Sequence, residues 1–570
     1  MVCDDVGMRG LTTHHCGPRG FRLDRRAPAS ALVAICLMAG CRGDGDAVAP
    51  PGPAPAADAG SRPGAAEAPE GPEGSDVPPV GTGGGGALHE GLGEDAVQRD
   101  PVDAVAELSL PEVAADAVHR DAVVVDLHVD TLWQMRSKRR AMNHRGLEAS
   151  PSRLVEGGVD VQFYSVWVPP DDPHPRSTAM ELIDLFEKTI VAPDGPRVLA
   201  GSAAQAVELV GQGKAVALLG LEGAVALEGD AAAVDLFHAR GVRYVALTWN
   251  EANPFGAGAA QLTGGATPRG LDLVRRLNDK RIVVDVSHAN PETFWDVVTR
   301  SERPVIASHS NAWAVHAHRR NLNDVQLFAL RESGGVVGLN FHARFVGGKG
   351  ATLADVLDHA QHLRTVGGPG FVALGTDFDG QIRTPRGLEH IGRLPQLSDA
   401  LAGAGWTPPE VTGLLGHSFL RTMHRVETGV ALRRVTHRPA AFSDVASTAT
   451  GTQPGLAFDS VVTTGWRPPP GEPTGHVLSA TVIGPDVDQV AICGSTVTQA
   501  SGVRLVEVRV RDEAGKMLST AQLALTPDVR PHRVALPESG RAGLIHVDVE
   551  VVEVEGVALV AEIVFERRVR

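Results

Sequence analysis

The sequence predicts an α/β protein: a (β/α)8, TIM-like barrel followed by a C-terminal antiparallel β-sandwich. Two patterns carry this. From about residue 101 to 436, eight short apolar, β-branched runs alternate with segments of helical periodicity, and such alternation builds a parallel sheet. After about residue 437 the helical period disappears and short segments of alternating polarity take over, the pattern of a sheet with one wet face. Eight parallel strands close most economically into a barrel. A doubly wound open sheet is the alternative, but no Gly-rich dinucleotide fingerprint follows any run.

In order, the runs are VVVD (123–126), VQFYSVWV (161–168), AVALLGLEG (215–223), VRYVALTW (242–249), IVVDVSH (282–288), PVIASHS (304–310), GVVGLNF (335–341) and FVALGTDFDG (371–380). Between them lie helix-like stretches such as PRGLDLVRRLNDK, and Gly241 and Gly334 stand where a helix should stop before the next strand. In the C-terminal part, VRLVEVRVRD carries charge at every second position and LIHVDVEVVEVEG behaves alike. This region, 437–570, shows no clustering of catalytic side chains. It reads as a structural or carbohydrate-binding accessory module whose partner is unknown.

The N-terminus has a different texture. Arg22, Arg25 and Arg26 precede an apolar run from Ala29 to Met38 and then Ala39-Gly40-Cys41, the layout of a secretory signal. A cysteine directly after Ala-Gly is similar to a bacterial lipobox, which would place a lipid on Cys41. The expectation for 1–41 is therefore a signal peptide and a lipid-anchored, exported protein, with a start codon that can lie downstream of Met1. Arg42 is not the aspartate that retains a lipoprotein at the inner membrane, which points to the outer membrane, its periplasmic side or the cell surface. Residues 42–100 are rich in Pro, Gly, Ala and acid, with almost no large apolar side chain. Such a segment cannot bury enough surface to offset chain entropy and reads as a disordered tether. Of five cysteines, Cys3, Cys16 and Cys36 leave with the signal and Cys41 is acylated, so Cys493 alone excludes an internal disulfide framework. A formal net charge of −15 argues against a nucleic-acid partner.

Barrels of this type build active sites where the strands end. The first run ends Asp126-Leu-His128-Val-Asp130, the third in Glu222, the fifth in His288, the sixth in His309 and the eighth in Asp377. A single histidine after a strand is more often structural than ligating. Six such groups at the same end of five strands point to metal, and a nitrogen–oxygen set without thiolate suits zinc. Two ions sharing a carboxylate need about this many ligands. Asp126, on the same strand face as His128, reads as a support for the ligands.

Together DLHVDTL, GGVDVQFYSVWV, LEG, GVRYVALTWN, VVDVSH, IASHSNAW, HRRNL and LGTDFDG resemble, in order and spacing from Asp121 to Glu427, the motif series of the membrane (renal) dipeptidase family. The resemblance implies a binuclear-zinc barrel hydrolase that cleaves dipeptides, including those with a C-terminal D-residue. It implies one zinc on His128 and Asp130, a second on His288 and His309, and Glu222 bridging them. It makes Asp377 the catalytic acid/base and Arg320 the binder of the substrate carboxylate, a role that suits a planar guanidinium. One position departs: Trp249 stands where renal-type enzymes carry a histidine that contacts the substrate carbonyl. Tryptophan offers only a ring N–H donor, so Trp249 or Asn250 would have to make that contact.

Other metal-dependent hydrolases of this type bridge their ions with a carboxylated lysine after the fourth strand, but LTWN offers none. Deaminase-type sites open with His-x-His, and here the first strand gives His-x-Asp. Hydrolysis of N-acyl amino acids or other small amides remains as the alternative activity. A non-catalytic surface binding protein would have eroded its ligands. A homodimer is left open.

Overall fold

A computed structural model describes residues 108–114 and 117–429 and, beyond them, residue 435 and the strands between 437 and 568 with a few flanking positions. The signal-like segment, Cys41 and the 42–100 tether lie outside the described residues.

The β-branched runs become β1 (Val124–Val129), β2 (Val159–Trp167), a two-residue β3 (Val198–Leu199), β4 (Val216–Glu222), β5 (Val242–Ala246), β6 (Val283–Asp285), β7 (Val305–Ser310), β8 (Val337–Leu339) and β9 (Val372–Leu374). All pairings are parallel. β1 pairs with β2 and with β9, and β2 pairs onward with β4, so eight strands close a ring while β3 hangs on β4 outside it. Every residue of β1, β4 and β7 is buried, because helices cover the outside of the ring and side chains fill its inside. Side chains from seven of the ring strands, among them Val125, Phe163, Leu218, Tyr244, Val283, Ile306 and Ala373, meet in one cluster with Phe419 and Met423. In a closed ring that meeting place is the interior. A larger cluster, including Leu182, Phe237, Leu277, Phe294 and Leu363, lies between strands and helices. Among the described residues no helix is long and apolar enough to cross a membrane.

The C-terminal strands form two antiparallel sheets. One has the order β10 (His437–Pro439), β18 (Glu562–Arg568), β13 (Val487–Cys493), β16 (Pro531–Ala535). The other runs β11 (Phe442–Ser447), β12 (Val477–Val482), β17 (Ile545–Glu555), β14 (Gly502–Asp512), β15 (Met517–Ala524). In β14, Val506, Val508 and Val510 are buried while Glu507 and Arg509 are half-exposed, the alternation read from VRLVEVRVRD. Arg533 pairs with Glu332 of the barrel at 2.7 Å, and Arg438 with Asp296 at 2.9 Å.

Candidate metal centre and active site

Each candidate metal ligand comes from the C-terminal end of a ring strand or the first residues after it. His128 lies inside β1, and Asp130 caps the helix Thr131–Ser137 just past it. Glu222 is the last residue of β4, His288 follows β6 by three residues, and His309 lies inside β7. Backbone bonds from Asp130 N to Phe378 O (2.9 Å) and from Asp377 N to His128 O (3.0 Å) stitch the end of β1 to the segment after β9. Asp126 acts as a brace beneath them. Its carboxylate accepts from Thr376 N at 2.8 Å, Thr376 Oγ1 at 3.0 Å and Gln162 Nε2 at 2.8 Å.

The imidazoles point their Nε2 atoms at one small volume. His128 Nε2 is 3.3 Å from Glu222 Oε2 and 3.8 Å from Asp130 Oδ2, and His288 Nε2 is 3.0 Å from Glu222 Oε1. His288 and His309 bring their Nε2 atoms within 2.9 Å of each other. His128, Glu222 and His309 offer ligand atoms within 4.8 Å of one another, as do His128, Asp130 and Asp377.

The hydrogen bonds behind the rings fix what those Nε2 atoms carry. The Tyr244 hydroxyl donates to Leu127 O at 3.1 Å, so it accepts from His128 Nδ1 at 2.9 Å. The Ser308 hydroxyl donates to Asp285, so it accepts from His309 Nδ1 at 2.8 Å. Asn250 Oδ1 accepts from His288 Nδ1 at 3.0 Å. With all three Nδ1 atoms protonated, Nε2 is the one ring position each histidine has left to turn toward the shared volume. His128 Nε2 and Asp130 Oδ1 are buried without hydrogen-bond partners, a costly arrangement unless a cation meets them. Three imidazole lone pairs, a shared carboxylate and two more carboxylates fit a pair of divalent ions.

The electrostatics agree. Burial, then the fields of His128 and Arg320, holds His309 well below its ordinary pKa, and burial with Arg320 takes His288 down to about 3. Both rings are therefore neutral. Burial opposes charge on Glu222, but His128 and His288 outweigh it and keep this carboxyl well below its usual range. At His128 burial is outweighed by Tyr244, Glu222 and Asp130, which push its pKa well up. The potential that would hold a proton there is the potential that attracts a metal ion.

Asp377 stands beside this cluster with its pKa pushed up to about 7 by burial, His128 opposing and Asp130 and Glu222 adding to the rise. Asn340 Nδ2 donates to Asp377 Oδ2 at 3.0 Å. Arg320 is 4% exposed, gives its guanidinium hydrogens to the carbonyls of Ser287 and His309, and leaves Nε without a partner. Burial takes its pKa down to about 10. Asp130, Glu222, Trp249, Asn250, His288, Arg320 and Asp377 all line one cavity of about 770 Å³, while His128 and His309 lie beneath it. Sequence reasoning did not single out Tyr244, Asn340, Ser165 or the Asp285–Ser308 pair. Ser165 Oγ donates to Glu222 Oε2 at 2.9 Å. The available signal was weak: Tyr244 is one of only two tyrosines in the chain.

Residues 113–435 match the family described as membrane dipeptidase, peptidase family M19. The chain belongs to this family. As a metallo-dipeptidase it hydrolyses dipeptides. A dipeptidase of Schizosaccharomyces pombe, itself described as uncharacterised, is 30% identical over 356 residues, spanning 57% of this chain and 86% of its own length. An uncharacterised protein from the pqqA 5′ region of Klebsiella pneumoniae is 37% identical over 211 residues, 35% of this chain and 78% of that protein. Among solved structures, a Rhodobacter sphaeroides metallopeptidase liganded with a phosphinate mimic of L-Ala-D-Ala is 28% identical with a TM-score of 0.50, covering 54% of this dipeptidase and 100% of that chain. A further dipeptidase of the same family is 29% identical with a TM-score of 0.50, covering 54% of this chain and 98% of its own.

Proposed function

We propose that this is a two-zinc dipeptidase, exported and held at a bacterial membrane by a lipid on Cys41, whose substrates include dipeptides with a C-terminal D-residue. The observation that carries the chemistry is the convergence of the His128, His288 and His309 Nε2 atoms on Glu222. In this reading His128 and Asp130 would hold one ion, His288 and His309 the other, and Glu222 would contribute to both. Bound zinc lowers the pKa of water toward neutrality and polarises a carbonyl.

The chain's own residues supply the rest. Arg320 takes the substrate's carboxylate: it lines the cavity, and a planar guanidinium suits a carboxylate. Asp377 accepts a proton from the attacking water and returns it to the departing amine, with Asn340 holding the carboxyl in place. Asn250 is engaged with His288 Nδ1, so Trp249 is left to donate its ring N–H toward the substrate. The D-residue is supported by the family resemblance and by the dipeptide mimic bound to the Rhodobacter relative. The anchor is supported by the arginines, apolar run and Ala39-Gly40-Cys41 of the N-terminus.

A kinetic panel of L,L- and L,D-dipeptides beside N-acyl amino acids, with zinc measured on the same sample, tests the activity. About two zinc per chain and turnover of dipeptides is the expected outcome. Turnover of acylated amino acids alone would sink the reading. Cys41→Ser should release the protein from the membrane fraction.

A further inference from the structure

The cavity has two chemically different walls on opposite sides of the ring. In the strand order, β7 lies four strands from β2, so the segment after β7, which carries Arg320, faces the end of β2, which carries Trp167. Arg319 and Arg344 line the cavity along with Arg320, and that side is cationic. The other side is aromatic. Trp167 meets the edge of Trp133 at 4.9 Å between ring centroids and that of Trp249 at 5.1 Å. Trp249 in turn lies 5.9 Å from the His288 ring, so the wall begins at the reacting centre.

Three of the chain's seven tryptophans therefore form one continuous run on the cavity. Trp133, Trp167 and Trp249 are only half-buried, and all three line the cavity. A dipeptide whose carboxylate sits on Arg320 and whose amide lies over the metal ligands must send its N-terminal residue to the far side. That is where the indoles stand.

We infer that Trp133, Trp167 and Trp249 form the subsite for the N-terminal side chain, and that the enzyme favours dipeptides with a bulky apolar N-terminal residue. The inference rests on the dipeptidase reading with Arg320 at the C-terminal carboxylate. Aromatic walls reward apolar and aromatic side chains by area and ring stacking, and hydrophobic subsites of this kind discriminate by factors of about ten or more.

The test is kcat/KM of the zinc-loaded full chain on Phe-Ala, Leu-Ala, Gly-Ala, Asp-Ala and Lys-Ala, with N-hexanoyl-alanine as the arm that lacks an amine. Phe-Ala and Leu-Ala should exceed Gly-Ala and Asp-Ala by about tenfold. In Trp133→Gln and Trp167→Gln the Phe-to-Gly ratio should shrink. The wild-type panel decides alone if a variant misfolds. A flat panel, a preference for Asp-Ala or Lys-Ala, or an unchanged ratio in both folded variants overturns the assignment. Hydrolysis of N-hexanoyl-alanine with no dipeptide turned over overturns the dipeptidase reading itself.

Discussion

His288 and His309 hold their Nε2 atoms 2.9 Å apart, with the opposite nitrogens committed to Asn250 and Ser308. Two lone pairs so placed repel unless a cation lies against them, and Glu222 Oε1 stands 3.0 Å from His288 Nε2. Folding without metal therefore carries an unrelieved electrostatic cost. Stripping the protein with a chelator should lower its melting temperature by on the order of 5 °C or more, since ligand binding to the folded state alone stabilises it by several kcal/mol. Glu222→Ala should abolish both zinc retention and turnover, read by metal analysis of the purified variant. Full activity in that variant would remove Glu222 from the bridging position.

Tyr244 acts on the metal site through His128. Its ring fits only because β4 has glycine at position 220, where any Cβ would overlap the ring. Its hydroxyl both receives the His128 Nδ1 proton and donates to Leu127 O. Tyr244→Phe keeps the ring and removes that bond, freeing the imidazole to rotate or change tautomer. Zinc affinity should fall by roughly 10–100-fold while the melting temperature of the stripped protein changes little. Competition with a chromophoric chelator measures it, and unchanged affinity would mean that β1 alone fixes the ring.

In the proposed role Asp377 must be ionised to accept a proton, so kcat/KM should fall as pH drops through its pKa. Burial pushes that pKa up to about 7 in the absence of cations, and nearby metal ions pull it down, so the acid limb belongs below pH 7. The Asn340 amide donates to the ionised carboxylate at 3.0 Å and favours the charged form. Removing it in Asn340→Ala raises the pKa and should move the limb toward higher pH by about one unit. Asp377→Asn should lower kcat by about 10²–10⁴-fold at the pH optimum. A pH–rate profile of each variant separates the two effects.

The barrel was legible because strands buried on both faces leave nearly unbroken apolar runs, as in β1 and β4. Its dipeptidase character was legible because many titratable residues gather at the ends of such runs in the family's motif order, where a single one would have meant little. Other features left no such mark. The edge strands β10, with the sequence HRP, and β11, FSDVAS, carry weak patterns because only one side of an edge strand is paired. Period-two alternation read Asp126 as a support beside His128, but nothing local named Thr376 and Gln162 of neighbouring segments as the partners its carboxylate accepts from. Tyr244 reaches across the ring to His128 and Asn340 reaches the end of the neighbouring strand, over 116 and 37 residues of sequence. No local pattern encodes that reach.

The segment after β9 is the most strained part of the site. Asp377, Asp379 and Gln381 all adopt left-handed backbone at φ of 64°, 66° and 57°, a cost that non-glycine residues bear only when their surroundings enforce it. Asp379 supplies the enforcement. It accepts from Thr131 Oγ1 and Glu148 N at 2.6 Å each, and its carbonyl accepts from Gln134 Nε2 at 2.8 Å. Between Asp379 and Gln381, Gly380 packs so tightly that a Cβ there would lie 2.8 Å from Asp130 Oδ2 and 2.9 Å from Asp377 Oδ1. Gly380→Ala must displace one of these carboxylates. Because a misplacement of about 1 Å costs on the order of 10²-fold in rate, kcat should fall by about that much. The ring strands are untouched, so the melting temperature should stay nearly constant. Near-normal kcat in the folded variant would show that the loop yields without moving Asp130 or Asp377.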